Sequence, residues 1–207
     1  MLKKLFSVLT VLIAVITLSA CSESNEPIEG KQYKTLTVNL STHKLPPVVE
    51  VFSLGCGHCR NLESVLPNIE SLINDKIGKV HVTFNESAQI SAMIFYAAAM
   101  QSDDGAVPPV MKVKLFELMQ NHELSGADKK NQLDALFLEN AMTSPYDLND
   151  QQQKALFGYM KTAESVSVDA QIDSVPTFII NGKYQVLLPG HDNVDDIAKT
   201  INYLKNK

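Results

Sequence analysis

Apolar residues change from a strand period to a helix period and back along the first half of the chain. The run at 48–53 (VVEVFS) is short and β-branched, which is typical of a strand buried in the middle of a sheet. Apolar residues then recur at helical spacing from Leu62 to Ile73, with a kink expected at Pro67. Residues 79–84 (KVHVTF) alternate as a strand again. This strand, helix, strand order predicts an α/β fold with parallel pairing.

The remaining pattern predicts a helical insertion between two groups of strands. A weaker alternation at 33–40 indicates a half-buried first strand. Strands return on both sides of Asn181-Gly182, a strong hairpin signal, and a helix closes the chain. Between them, helical periods occur at 92–100, 110–120, 129–138 and 150–166. We therefore expect one domain over 33–207 that carries a helical insertion at about 86–167.

The first residues differ in kind from the rest of the chain. Lys3 and Lys4 precede an almost entirely apolar run, which predicts an export signal over 1–20. A transmembrane anchor is the alternative, but the run is at the short limit of the roughly 20 residues that usually span a bilayer. Polar residues follow over 21–32 and predict a tether to the folded domain.

The end of the apolar run, LSAC at 18–21, resembles the lipobox of bacterial lipoproteins. That resemblance implies that Cys21 is lipidated and becomes the mature N-terminus. The alternative is ordinary cleavage that leaves Cys21 as an unpaired thiol. Both interpretations place the mature protein outside the cytoplasm. Any contact with a membrane would be made through the lipid on Cys21.

Composition and charge narrow the class of protein. The chain has 207 residues, of which 45% are hydrophobic and 20% charged, as expected of one globular domain. Its formal net charge of -5 is spread without a long run of either sign, so the electrostatic footprint of a nucleic-acid-binding protein is missing.

The motif Cys56-Gly57-His58-Cys59 lies where the buried strand gives way to a helix. Two thiols at i and i+3 of a helix start are close enough to form a disulfide. The sulfur of Cys56 faces unpaired backbone N–H groups and the positive end of the helix, which favours its thiolate form. His58 adds a positive charge or an N–H donor beside it. The motif therefore predicts a redox pair whose first sulfur both attacks and leaves readily.

Two other uses of such a motif compete with this interpretation. A zinc half-site needs further ligands, but Cys21 is the only other cysteine and the remaining histidines show no paired spacing. A structural disulfide is conceivable outside the cytoplasm, but closing so short a loop removes little chain entropy. We expect neither a bound metal nor a cofactor.

Two separated segments resemble the DsbA family. Residues 50–59 (EVFSLGCGHC) are similar to its active-site segment, and residues 175–184 (VPTFIINGKY) to its second signature. The order of elements agrees across nearly the whole mature chain. The resemblance implies a thioredoxin-like fold with a helical insertion and a periplasmic oxidase that forms disulfides in exported proteins. A substrate thiolate would attack Cys56, while Cys59 stays buried as the partner thiol.

The resemblance also implies roles for residues outside the motif. The Val175-Pro176 bond would be cis and lie against the cysteines, leaving the Val175 backbone free to pair with an extended substrate. An ordinary trans proline is the alternative. Glu50 and Lys79 would form a buried charged pair that assists proton transfer at Cys59. Alternatively, Lys79 lies in solvent at the end of its strand.

One position departs from the family pattern. The oxidases typically carry Pro-His between the cysteines, whereas Gly57-His58 is similar to the dipeptide of protein disulfide isomerases. The resemblance implies reduced exported proteins as substrates, a quinone-linked, DsbB-like membrane partner that recharges the disulfide, and a monomer. Two alternatives stay open: a reductase or isomerase on the same fold, and a binding module that makes little use of its cysteines.

Overall fold

The computed structural model describes residues 26–207. Within that range the centre of the molecule is a five-stranded sheet in the order β1-β5-β4-β2-β3. β2 and β3 are parallel, as predicted, and the other neighbours are antiparallel. The strands are β1 Tyr33–Thr35, β2 Val48–Phe52, β3 Gly78–His81, β4 Thr177–Ile180 and β5 Tyr184–Val186.

Helices cover both faces of this sheet. They are α1 Gly57–Glu63, α2 Leu66–Ile73, α3 Glu86–Ala99, α4 Pro109–Gln120, α5 Gly126–Glu139, α6 Asp150–Asp169 and α7 Val194–Lys205. Short 3-10 helices occupy Leu40–His43 and Leu188–Gly190. The predicted α/β fold with a helical insertion is confirmed, since α3 to α6 lie between β3 and β4 in the chain.

The central strands are buried on both faces, which explains their continuous apolar sequence. Val49 pairs with Ile179, and both belong to the core that the sheet shares with the helical insertion. Val48 pairs with Ile180 on the opposite face, against Ile69 of α2. Because alternate residues of a strand point to opposite faces, both sets of side chains are predominantly apolar, and Glu50 is the exception in β2.

Two local predictions are wrong. The strand expected over 33–40 ends at Thr35, because Asn39 caps the 3-10 helix Leu40–His43 with its side chain. The kink expected at Pro67 is a break between two helices, α1 and α2. Proline lacks an N–H and therefore fits the first turn of α2, where no partner is needed.

The first described residues pack along the edge of the sheet. Glu29 forms an isolated bridge with Tyr33, and the Leu187 N–H donates to the Gln32 carbonyl at 2.8 Å. The predicted signal over 1–20 and Cys21 lie outside the described residues. Between residues 26 and 207, no helix is long and apolar enough to cross a membrane.

Candidate functional site

The sulfur of Cys56 is held at the start of α1. Cys56 is the N-cap residue of that helix, and its sulfur accepts the Cys59 backbone N–H at 3.1 Å. A tight turn precedes it, in which the Cys56 N–H donates to the Ser53 carbonyl at 3.0 Å. The side chain is half-buried, so a partner molecule has access to this sulfur.

The second cysteine has a different environment. Cys59 is 0% exposed, and both cysteines are free thiols in this structure. Burial raises the pKa of the Cys59 thiol far above its usual range, and contact with Cys56 and the charge of Glu50 act in the same direction. The pair therefore combines one accessible sulfur with one that is buried and protonated.

The loop before β4 lies against the first cysteine. The Val175-Pro176 bond is cis, which confirms the geometry implied by the family resemblance. The Val175 carbonyl oxygen is 3.5 Å from the Cys56 sulfur, and both loop residues are half-buried. An extended peptide that reached the Cys56 sulfur would thus pass next to the Val175 backbone.

A charged pair lies beneath the cysteines. Glu50 and Lys79 are in register on β2 and β3, and the Lys79 ammonium donates to the Glu50 carboxylate. The Lys79 side chain is only 14% exposed, so the alternative with this lysine in solvent is wrong. Lys79 also donates to Glu63 of α1, which connects the sheet to the helix that carries the cysteines.

Glu50 is unusual for a carboxylate in a protein core. Burial raises the pKa of its carboxyl to about 7, although Lys79 acts in the opposite direction. Its Oε1 has no hydrogen-bond partner among the described residues. The group therefore exchanges a proton near neutral pH, and its charge influences Cys59.

Sequence reasoning missed two members of this charged cluster. Glu63 receives Lys79 on one oxygen and the Lys112 ammonium on the other, the latter at 2.7 Å. Lys112 belongs to α4 of the helical insertion. Glu63 could have been suspected because it lies one helical turn after Cys59. No local signal marks Lys112, since its partner is distant in the chain.

Gly57 and His58 are exposed at the surface of the site. A side chain added at Gly57 would meet nothing within 4 Å, so packing does not require glycine there. Gly57 is the first residue of α1, a position that accommodates proline well. In the described part of the chain, no group of three or more His, Cys, Asp or Glu side chains is placed to hold a metal ion.

Comparisons with known proteins agree with this geometry. A family described as Thioredoxin matches residues 44–202. The thiol:disulfide interchange protein DsbA of Salmonella typhimurium is 30% identical over 222 aligned residues, which cover 100% of both chains. A solved variant of Pseudomonas aeruginosa DsbA has a TM-score of 0.68 at 22% identity and covers 87% of this chain and 97% of that chain.

A further solved structure is a complex of Proteus mirabilis DsbA with a non-covalently bound peptide. Its TM-score is 0.61 at 22% identity, and it covers 88% of this chain and 100% of that chain. At that identity the solved structures establish the shared fold, a thioredoxin fold with a helical insertion. The family match and the full-length relative establish more: this chain belongs to the thioredoxin superfamily and, within it, to the DsbA-type thiol-disulfide oxidoreductases.

Proposed function

We propose that this protein introduces disulfides into exported proteins, with the Cys56–Cys59 disulfide as the oxidant. One observation carries the proposal: the Cys56 sulfur is accessible, accepts the Cys59 N–H and lies beside the Val175 carbonyl, whereas Cys59 is buried. An incoming thiolate therefore reaches only one of the two sulfurs. That asymmetry is what directed exchange through a mixed disulfide requires.

The reaction consists of two exchanges. A substrate thiolate attacks the Cys56 sulfur, the Cys56–Cys59 bond breaks, and Cys59 leaves with the electron pair and takes up a proton. A second substrate thiolate then attacks the substrate sulfur of the mixed disulfide. The substrate disulfide forms, and Cys56 leaves as a thiolate whose sulfur accepts the Cys59 N–H. Two electrons pass from the substrate to the cysteine pair.

Glu50 is the group best placed to provide the proton for Cys59. Its pKa of about 7 keeps a substantial protonated fraction near neutral pH. Lys79 links Glu50 to Glu63, and Lys112 of the insertion balances the second carboxylate. The carboxylate that remains after the transfer is paired with the Lys79 ammonium.

Substrate binding uses the loop at Val175 and Pro176. An extended segment passing Cys56 would pair with the Val175 backbone in the manner of an added strand. This mode is independent of substrate sequence, which suits an enzyme that acts on many exported chains. A DsbA relative solved with a non-covalently bound peptide supports the idea of a peptide site on this fold.

The setting we propose is the periplasm, with Cys21 as a lipid anchor and the folded domain acting as a monomer. A quinone-linked membrane partner would remove two electrons and two protons from the reduced pair and restore the disulfide. Because Gly57 stands where the family's oxidases typically carry proline, reduction or isomerisation is the alternative to oxidation.

Oxidation of a reduced dithiol peptide by one equivalent of the oxidised protein tests the proposal. We expect single-turnover transfer of the disulfide and a glutathione equilibrium in which the protein is readily reduced. The Cys56→Ser variant is the control. If the wild-type protein fails to oxidise the peptide but reduces disulfides in the presence of excess thiol, the oxidase direction is wrong.

A further inference from the structure

The backbone just before Cys56 is held from two sides by two side chains. Leu54 is fully buried, and its N–H donates to His81 Nε2 at 2.9 Å. Its carbonyl accepts the Gln120 amide at 2.9 Å. The same amide nitrogen lies 3.1 Å from the Cys56 carbonyl oxygen and donates to it as well. His81 and Gln120 thus satisfy the polar groups of a turn that has no partner strand.

His81 is fixed in the one state that can accept this bond. Its Nδ1 lies 2.7 Å from the Val82 carbonyl, which only accepts, so Nδ1 carries the hydrogen and Nε2 has a free lone pair. The Tyr96 hydroxyl accepts the His81 backbone N–H at 2.9 Å, and Phe52 packs edge-on against the ring at 5.0 Å. Burial lowers the pKa of His81 to about 4, which keeps the ring neutral.

Gln120 reaches the turn from the helical insertion. It is the last residue of α4, whose Glu117 pairs with Arg60 at 2.9 Å and whose Lys112 pairs with Glu63 at 2.7 Å. One helix of the insertion therefore follows α1 along its length. Of these three residues of α4, only Gln120 contacts the segment that leads into Cys56.

We propose that His81 and Gln120 are positioning residues for the redox pair. By holding Leu54 and the Cys56 carbonyl, they set the position of the Cys56 sulfur relative to the Cys59 N–H and the Val175 carbonyl. Loss of either side chain leaves a buried backbone group of Leu54 without a partner, and the turn has to move to find one. Small displacements of a reacting group strongly reduce reactivity. The inference rests on Cys56 being the attacking thiol of the proposed function.

The test compares variants at both positions with a matched control. Gln120→Met and His81→Leu keep the size of each side chain and remove the hydrogen bond to Leu54. His81→Gln retains an acceptor. Gln101→Met is the control, because Gln101 bridges the Ala97 and Thr143 carbonyls at 2.7 and 3.0 Å elsewhere in the insertion. Each reduced protein is treated with iodoacetamide at pH 7 and equilibrated with glutathione, and its unfolding is measured.

We expect Gln120→Met and His81→Leu to slow the alkylation of Cys56 by about tenfold, the equivalent of one displaced hydrogen bond. Their glutathione equilibria should move several-fold toward the oxidised protein, because the Cys56 sulfur of the reduced protein loses the hydrogen bond from the Cys59 N–H. His81→Gln should restore most of the rate, and Gln101→Met should match the parent.

The proposal is overturned if Gln120→Met matches Gln101→Met in rate and equilibrium, or if His81→Gln is as slow as His81→Leu. If His81→Leu does not fold, the other two variants decide. His81→Gln must then keep an alkylation rate close to that of the parent, and Gln120→Met must be slower. Any other pattern refutes the inference. Alkylation does not depend on the direction of catalysis. A failure of the oxidase proposal would therefore show in the peptide assay and leave this contrast intact.

Discussion

Val175 and Cys56 are far apart in the chain, yet the Val175 carbonyl oxygen lies 3.5 Å from the Cys56 sulfur. Parallel pairing of β2 with β3 and antiparallel pairing of β2 with β4 bring the two segments together at one end of the sheet. Cys59, only one helical turn away from Cys56, is buried beneath it. A peptide bound at this end of the sheet therefore contacts the sulfur of Cys56 and not that of Cys59.

Substitution of each cysteine should consequently give different results. Cys59→Ala is expected to accumulate mixed disulfides with exported proteins through Cys56, because the buried thiol that would resolve them is missing. Cys56→Ala should be inactive and accumulate none. Non-reducing electrophoresis and mass spectrometry of cells expressing each variant provide the measurement. Adducts on Cys59 in the Cys56→Ala protein would contradict the assignment.

Glu50 should make the protein less stable as the pH rises. Burial raises the pKa of its carboxyl from 4.5 to about 7, so between these values the folded state binds more protons than the unfolded chain. The free energy of unfolding therefore decreases with pH across this interval, and the loss is complete above pH 7. Glu50→Gln removes the ionisation and should stabilise the reduced protein by about 3 kcal/mol at pH 8, and by little at pH 4.

Urea unfolding of both proteins from pH 4 to pH 8 measures this difference. Glu123→Gln, a substitution of an exposed carboxylate on the loop after α4, is the control and should run parallel to the parent. Parallel curves for Glu50→Gln and the parent would show that the pKa of Glu50 is not raised in the folded state.

Much of the fold could be predicted because apolar residues recur along the chain at the period of each strand or helix. β2 and the helices of the insertion follow from apolar spacing, because each buries a face whose period belongs to the element itself. The hairpin follows from its turn residues, Asn181-Gly182. The cysteines and Glu50 were found for a similar reason. A reactive pair and a carboxylate in an apolar strand are anomalies visible within a few residues.

The residues that the sequence did not reveal have roles that depend on contacts between distant segments of the chain. Gln120 looks like any polar residue at the end of a helix until α4 is placed against the turn at Leu54. Lys112 is one of several lysines in the insertion, and only its contact with Glu63 distinguishes it. His81 lies in a strand that was predicted over 79–84 and ends at His81 itself, but the partner of its ring is set by the fold.

Gly57→Pro should be tolerated and should increase stability. Gly57 is the first residue of α1, a side chain there would meet nothing within 4 Å, and Cys56 before it has extended backbone angles of φ -93 and ψ 115. Proline suits such a position and reduces the freedom of the unfolded chain, so we expect a gain of about 0.5–1 kcal/mol. Denaturant unfolding of the reduced protein is the measurement.

Gly126→Pro provides a matched control for this substitution. Gly126 is the first residue of α5, has equally open surroundings, and follows Ser125 in extended conformation. Both variants should gain similar stability, but only Gly57→Pro should change the glutathione equilibrium, because only it lies between the cysteines. Equal equilibria for the two variants would mean that the dipeptide does not tune the redox pair.

Cys21→Ala tests the proposed anchor. If Cys21 carries a lipid, the wild-type protein should fractionate with membranes, and the variant should be released or remain unprocessed. Intact-mass analysis of the purified protein measures the modification directly. A mature N-terminus at another residue, without added mass, would exclude lipidation.

The relative stability of the two redox states tests the oxidase proposal most directly. In the reduced protein the Cys56 sulfur accepts the Cys59 N–H at the start of α1, and a thiolate there gains more from that donor and from the helix than a disulfide sulfur does. The same free energy that stabilises the reduced fold makes the disulfide easier to reduce, because the two quantities belong to one thermodynamic cycle.

An oxidant should thus unfold at a higher temperature when reduced, whereas a structural disulfide gives the reverse order. A difference of ~2 kcal/mol corresponds to a shift of roughly 4–8 °C for a domain of this size. Thermal unfolding at pH 7, with and without reductant, measures it, and the Cys56→Ser, Cys59→Ser double variant controls for effects of the reductant. A higher midpoint for the oxidised protein would contradict the oxidase proposal and favour a reductase on the same fold.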